Sequence, residues 1–447
     1  MINNRLLKII GPMMINNRYV GKYLELVLSP LLIISKWFIS SNFSVLSPQI
    51  QNLARRAGEN AGSESENKRN IVFVNRNFMQ GQVGGVNFLI ALMAFGLKRR
   101  GHRVRILCES PRPWPKESSF QGVQIIGISP RLFFMDHSSP PFYAGWSTSV
   151  KTYLRDEAEG GEVINVFATI AGLETVGTEE LSDNVNSICY LVTDHIIHKF
   201  GTMTKPTEGS RVAKFIKSER EFLMSPSLRI IGDSKAIVDD LSKVLALPEL
   251  PKRSGILYIG WPKNDEKSNV KLPVGRLVTC IGSVSFRKGT RTLIEAWLSI
   301  CSDPMLADVN LLICGPTSDD HESENLILNA PVSSRITRIK VMSEAEKNYI
   351  LSKTDVVAIP SHYESFGIVG VEAMQMGCQI VASHIGGLPE VLEGVGKFFE
   401  TGNSSSLAAT LKEVLTGQST TPIQAISNRA DHFDFERMLQ NLEAELR

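Results

Sequence analysis

The sequence predicts an α/β protein made of two doubly wound domains that face a cleft, preceded by an N-terminal extension. Three observations carry that prediction. Short apolar, β-branched runs recur from position 71 onward. Glycine-bearing turns and helical stretches separate them, the alternation that builds a parallel sheet. The series also occurs twice, and a polar stretch containing Trp261-Pro262 divides the two copies.

Length and composition agree. At roughly 150 residues per domain, 447 residues imply two or three domains. Apolar residues are 43% and charged residues 21%, ordinary for a globular protein. This excludes a wholly disordered chain, a collagen-like repeat and a polytopic membrane protein. The 48 Lys and Arg nearly balance the 46 Asp and Glu, a net charge of +2, so nothing global argues for nucleic acid as a partner. Among Cys108, Cys189, Cys280, Cys301, Cys314 and Cys378 no C-x-x-C pair occurs. They read as small buried hydrophobes in a reducing, cytoplasmic compartment, and no metal site is expected.

Residues 1–56 form a basic, apolar extension. The first 50 hold Arg5, Lys8, Arg18, Lys22 and Lys36 against Glu25. Their most apolar stretch, 26–39, is interrupted by Pro30 and Lys36, too short for the ~20 apolar residues of a membrane span. Three readings stay open: a segment of residues 1–40 lying at the inner face of a membrane, a helix packed on the body, or a poorly ordered extension. Residues 57–70 are polar with Gly and Ser, and read as a linker.

The first domain spans 71–260. It opens with a strand at 71–74, the loop Gly81-Gln82-Val83-Gly84-Gly85, a helix over 86–100 stopped by Gly101, and a strand at 104–108. Further strands are expected at 123–128, 163–167, 188–193 and 228–231. The basic run at 98–105 reads as a solvated helix end, or as a contact for anionic lipid or a phosphorylated acceptor. The interdomain connection falls at 256–271. The second domain, 272–420, has strands at 277–281, 309–314, 336–341, 355–359 and 379–382, with a helix at 290–299. Residues 421–447 are helical in composition. In such sheets ligands sit beyond the carboxyl ends of the strands.

The most informative segment lies there: Pro360-Ser361-His362-Tyr363-Glu364-Ser365-Phe366-Gly367-Ile368, followed by Glu372. A strand ends at Pro360, a polar loop carries Glu364, and a helix begins near Gly367. Amides at a helix start are unsatisfied and attract phosphate or an anionic leaving group. Glu364 in the loop can reach sugar hydroxyls. Glu372 can take both hydroxyls of a ribose, because a carboxylate accepts two donors. Lys288, beside Arg287 and before Gly289, supplies the cationic neutralisation that a diphosphate requires.

The two carboxylates, separated by seven residues and set in P-S-x-x-E-S-F-G-I-x-x-x-E-A-M-x-x-G, resemble the signature of retaining glycosyltransferases of the GT-B fold, nearest to glycosyltransferase family 4. The likeness continues through Val381-Ala382-Ser383-His384-Ile385-Gly386-Gly387-Leu388-Pro389-Glu390, through Gly282 with Lys288-Gly289, and through Gly84-Gly85. It covers residues 71–447 and is sharper in the second domain. It implies a nucleotide-sugar donor on the second domain and a glycan or lipid-linked acceptor on the first. The nucleotide sugar is then a substrate, and no cofactor is expected. Glu372 would hold the donor ribose and Glu364 the transferred sugar. Ser365 and the amides of Phe366, Gly367 and Ile368 would line the pocket, Arg287 and Lys288 would meet the diphosphate, and Gly84-Gly85 would border it. His195 would contact the donor sugar.

The sequence departs from the pattern in two places. Ser283 stands where the family has an arginine, so Arg287 replaces that phosphate contact or the contact is missing. The strand ending in Phe167-Ala168-Thr169 lacks the family's histidine. A non-catalytic subunit of the same fold, or a nucleotide-sugar epimerase, remain the alternative functions.

Overall fold

A computed structural model describes residues 46–75, 78, 85–109, 117–128, 140–159, 164–168, 185–192, 220–225, 228–263 and 268–446. Most of residues 1–56, together with Gly84 and His195, therefore lie outside the described residues.

Two sheets organise the chain. The first contains β1 (Asn70–Val74), β2 (Arg103–Glu109), β3 (Glu117–Phe120), β4 (Val123–Ile128), β5 (Ile164–Ala168), β6 (Val185–Val192), β7 (Leu228–Gly232) and β8 (Ser254–Ile256). Their order is β3-β4-β2-β1-β5-β6-β7-β8. Every pairing is parallel except β3 with β4. Ile71, Val72, Phe73 and Val74 are all buried, as a strand covered on both faces requires. That is why it reads as a continuous apolar run rather than an alternating one.

The second sheet contains β9 (Arg276–Ile281), β10 (Val309–Cys314), β11 (Ile336–Ile339), β12 (Val356–Ile359), β13 (Gln379–Ser383) and β14 (Lys397–Phe399). It is wholly parallel, in the order β11-β10-β9-β12-β13-β14. The chain winds outward from β9 to β10 and β11, then returns to the other side of β9 as β12. The switch therefore lies between β9 and β12, and the loops leaving those two strands open a crevice at their carboxyl ends.

The helix α1 (Pro48–Glu59) runs from the end of the expected extension into the expected linker, and a helix packed on the body is one of the three readings left open for that extension. Ser47 caps it by accepting from the Ile50 amide at 3.3 Å, and Pro48 opens it, a start signature that the composition of the region conceals. Leu46, Ile50, Leu53, Ala54 and Ala57 enter the main core. Full burial of each Leu or Ile contributes about 1.5–3 kcal/mol. The sequence boundary at 56/57 falls inside this helix. It packs on α2 (Gly85–Arg99), whose residues from Leu89 to Leu97 are all buried. A helix apolar on every side has to be enclosed, and α1 supplies one wall.

The chain crosses between the sheets twice. The segment around Trp261 passes from the first to the second: its amide donates to the Phe433 carbonyl at 3.2 Å. After α8 (Ile423–Ala430), the last helix α9 (Phe435–Glu445) returns to the first domain. There Glu443 accepts from Arg100 at 2.9 Å and meets His102 at 2.7 Å. This limits the reading of the basic run as a solvated helix end or a lipid contact to part of its residues. Arg100, His102 and Arg105 are buried, and Arg105 pairs with Glu157 and donates to Asn70 at 3.0 Å. Lys98, Arg99 and Arg103 alone reach solvent. Cys108, Cys280, Cys301, Cys314 and Cys378 are free and buried, and burial pushes the Cys108, Cys280, Cys314 and Cys378 thiols up.

Candidate active site

The crevice of the second sheet is bounded by the loop after β9, residues 282–289, and the loop after β12, residues 360–367. The loops are in direct contact. The His362 amide donates to the Arg287 carbonyl at 2.8 Å. Gly289 has φ +64°, and a Cβ there would lie 1.8 Å from the Pro360 carbonyl oxygen. No other residue fits this close left-handed turn.

Across that contact, the Lys288 ammonium lies 2.6 Å from Glu364 Oε2. Ser361 donates its hydroxyl to the same oxygen at 3.2 Å. Burial pushes the Glu364 carboxyl up, but Lys288 and Arg287 pull it down by more, so it lies below the usual carboxylate range. Glu364 is therefore a charged acceptor at neutral pH and not a proton donor. Ser283, at the arginine position of the family pattern, donates its hydroxyl to Ser285 at 3.3 Å.

The loop that carries Glu364 rests on Gly386-Gly387. The Gly387 amide donates to the Glu364 carbonyl at 2.9 Å, and a Cβ at Gly387 would lie 2.0 Å from the Ser365 carbonyl oxygen. The helix α7 (Ile368–Gln375) follows, with Gly367 at its start and no side-chain cap. Its first amides have no side-chain cap and lie at the positive end of the helix dipole. Phe366 is buried against Tyr258 and Phe433, so its backbone and not its ring serves the loop. His362 stacks on Phe286, ring centroids 4.8 Å apart, and burial lowers its pKa.

Glu372 sits deeper than the sequence suggested. Its side chain is 3% exposed, and its Oε1 lies 2.5 Å from the ammonium of Lys347 on the helix α6 (Glu344–Ser352). Sequence reasoning missed Lys347, and nothing but its i, i+3 spacing from Glu344 hints at it.

The first domain approaches from β7. Ser365 donates to Asp233 Oδ2 at 3.0 Å, and Ser234 donates to the Ser365 carbonyl at 2.5 Å. Glu390 reaches back across, accepting from the Lys235 amide at 2.9 Å and the Tyr258 hydroxyl at 2.7 Å. It thereby adds an acceptor at the start of α4, which spans Lys235–Leu245 and is capped by Ser234 accepting from the Ile237 amide at 3.2 Å. Gly85 is the first residue of α2.

Of the predicted residues, the structure brings together Lys288, Arg287, Glu364, Ser365, Phe366, Gly367 and Ile368, with Glu372 on the same helix. A cation, a buried carboxylate and an uncapped helix start together offer contacts to both anionic and hydroxyl groups.

The comparisons decide the family. The Glycosyl transferases group 1 family model matches residues 263–431. The chain is 30% identical, over 398 residues, to D-inositol 3-phosphate glycosyltransferase of Mycolicibacterium gilvum, covering 81% of this chain and 84% of that protein. This chain belongs to the glycosyl transferases group 1 family. It is a glycosyltransferase, and an uncharacterized glycosyltransferase of Methanocaldococcus jannaschii is 24% identical over 70% of this chain and 79% of that protein. Solved structures share the GT-B fold. Sucrose-phosphate synthase from Thermosynechococcus elongatus superposes with a TM-score of 0.67 at 16% identity, covering 84% of this chain and 98% of that one. Anabaena HepE in complex with UDP and glucose gives 0.62 at 18% identity, covering 85% and 99%. Among the described residues of this glycosyltransferase, no helix is long and apolar enough to cross a membrane.

Proposed function

We propose that this glycosyltransferase moves a sugar from a nucleotide-sugar donor to an acceptor hydroxyl with retention at the anomeric carbon. The observation that carries the reading is the Lys288–Glu364 pair, 2.6 Å apart at the switch point beside an uncapped helix start. Glu364 accepts from hydroxyls of the transferred sugar. Lys288 exchanges its carboxylate for the donor diphosphate, joined by Arg287 and by the amides of Gly367 and Ile368. Glu372 takes the ribose. His195 and Gly84-Gly85 border the reacting sugar and the acceptor, a glycan or lipid-linked hydroxyl in polysaccharide or glycolipid assembly. Residues 1–40 give peripheral contact with the membrane that holds such acceptors.

The chemistry is positioning and charge stabilisation. The bond between the anomeric carbon and the diphosphate oxygen breaks. The acceptor oxygen bonds to the same face of that carbon, and its proton passes to a donor phosphate oxygen. Lys288 and Arg287 offset the charge that develops on the leaving group, so no metal is required. Incubation with UDP-, GDP- and ADP-sugars, with the released or transferred sugar followed by NMR, tests this. The same anomer as the donor supports the reading. An inverted product, or a glycosyl-enzyme adduct in the mass spectrum, contradicts it.

A further inference from the structure

Behind the proposed ribose carboxylate, Glu372, lie three charges that no part of the mechanism above uses, and with it they form an alternating line of four. Arg56 of α1 meets Glu344 at 3.4 Å, Glu344 meets Lys347 at 2.9 Å, and Lys347 meets Glu372 at 2.5 Å. All four side chains are at most 10% exposed. The Lys347 ammonium also stands 5.3 Å from the Trp261 ring centroid. Arg56 donates besides to the Pro262 carbonyl, so the line joins α1, the interdomain segment, α6 and α7.

Such a cluster is an expensive way to fill space, because apolar side chains of similar size serve stability as well. Its charges sum to zero only while Glu372 is ionised. Burial and the neighbouring Glu344 push the Glu372 carboxyl up, and Lys347 is the near cation opposing them. Two carboxylates in turn hold Lys347 in its charged form against its burial.

We propose that Lys347 is a positioning residue that fixes Glu372 as an ionised acceptor in a single orientation, one oxygen held by the ammonium and the other left for a ribose hydroxyl. This rests on the assignment of the ribose to Glu372. The groups that face Glu372 in the line are Lys347 and Glu344 from α6, with Arg56 from α1 beyond them and Trp261 from the interdomain segment alongside. Removing Lys347 leaves one cation for two buried carboxylates. Glu372 then binds a proton at neutral pH and accepts hydrogen bonds less well, and it recovers its charge as pH rises.

The test uses the full chain and the nucleotide diphosphate among UDP, GDP and ADP that binds the wild type, titrated from pH 6 to pH 9. Lys347→Met weakens binding roughly 10- to 100-fold at pH 7 and regains much of it by pH 9, the size expected for losing one charge-assisted contact. Donor KM rises while kcat at saturating donor changes little. Lys347→Arg, which keeps the charge, stays close to the wild type. A folded Lys347→Met with wild-type affinity, or with a loss that does not vary with pH, overturns the proposal. If Lys347→Met does not fold, Glu344→Gln carries the test. It leaves Lys347 undivided to Glu372, so the acid limb of the affinity profile moves to lower pH, and an unmoved limb overturns the proposal. Glu372→Ala separates the two levels. Unchanged nucleotide affinity in that variant refutes the ribose assignment itself, whereas a loss there combined with an indifferent Lys347→Met refutes only the role of Lys347.

Discussion

The Lys288 ammonium and the Glu364 carboxylate lie 2.6 Å apart although 76 residues separate them in sequence. Each leaves the carboxyl end of a different central strand, and the strands are neighbours because the winding of the sheet reverses between β9 and β12. The pair is thus a product of topology, and in the proposed mechanism it is the point at which sugar and diphosphate are sorted.

Removal of either partner should affect turnover far more than folding. Lys288→Met removes the cation facing the diphosphate, and Glu364→Gln removes the charged acceptor for the sugar. Each is expected to lower kcat/KM by about 10²- to 10³-fold, the scale of losing one preorganised charge-stabilising group. Initial rates on the preferred donor check this, with circular dichroism to show that the variants are folded.

Glu390 adds an acceptor at the start of a helix that belongs to the other domain, at 2.9 Å from the Lys235 amide. Glu390→Ala removes the carboxylate that accepts from the first amides of α4, leaves the Ser234 cap in place, and frees the Tyr258 hydroxyl. It should cost about 1 kcal/mol of stability, as loss of a carboxylate at a helix start does, read as a lowered urea midpoint. Tyr258→Phe, which leaves that carboxylate in place, should cost less.

Acid should destabilise the fold through His102. Burial lowers its pKa against the pull of Glu443, and its Nδ1 accepts the Arg69 amide at 3.1 Å, so Nε2 carries the proton donated to Glu443. The neutral ring is the folded form. Below about 6.5 the unfolded chain takes up a proton that the folded one does not, so stability present at neutral pH falls as pH drops. Glu443 adds a second, more acidic loss: burial raises its carboxyl, but Arg100 and His102 lower it by more. Its contribution is lost as pH falls from the ordinary carboxylate range to that depressed value. Urea titrations at pH 7.5 and 5.5 should differ in midpoint, and His102→Gln should narrow the gap.

Metal removal is a separate check on the proposed mechanism. With Lys288 and Arg287 offsetting the diphosphate, transfer should proceed at an unchanged rate after EDTA treatment. A rate restored only by added Mg²⁺ or Mn²⁺ would contradict that part of the proposal.

Much of this architecture is legible in the sequence because buried parallel strands are written as unbroken apolar runs. Those at 71–74, 104–108, 309–314 and 379–382 each fall within an observed strand. The short edge strands β3, β8 and β14 escape such reading, since Glu117, Ser118 and Ser119 carry no apolar signal. The helix α1 escapes for another reason. Ala54, Ala57 and Ala61 bury little surface each, and their neighbours Arg55, Arg56 and Glu59 make the stretch read as polar. Local sequence marked Lys288, Arg287, Glu364 and the Gly367 helix start. It could not mark Lys347, Arg56 or Asp233, whose partners Glu372, Glu344 and Ser365 lie on other elements and meet them only once the chain is folded.

The central claim is that the crevice between the loops after β9 and β12 binds a nucleotide-sugar donor. A thermal-shift titration with UDP-, GDP- and ADP-sugars, run in parallel on the wild type, Lys288→Met and Glu372→Ala, addresses it most directly. The account predicts a rise in Tm with one nucleotide class in the wild type, reduced or lost in both variants. Folded wild type with no shift for any donor, or a shift of equal size in all three proteins, would contradict it.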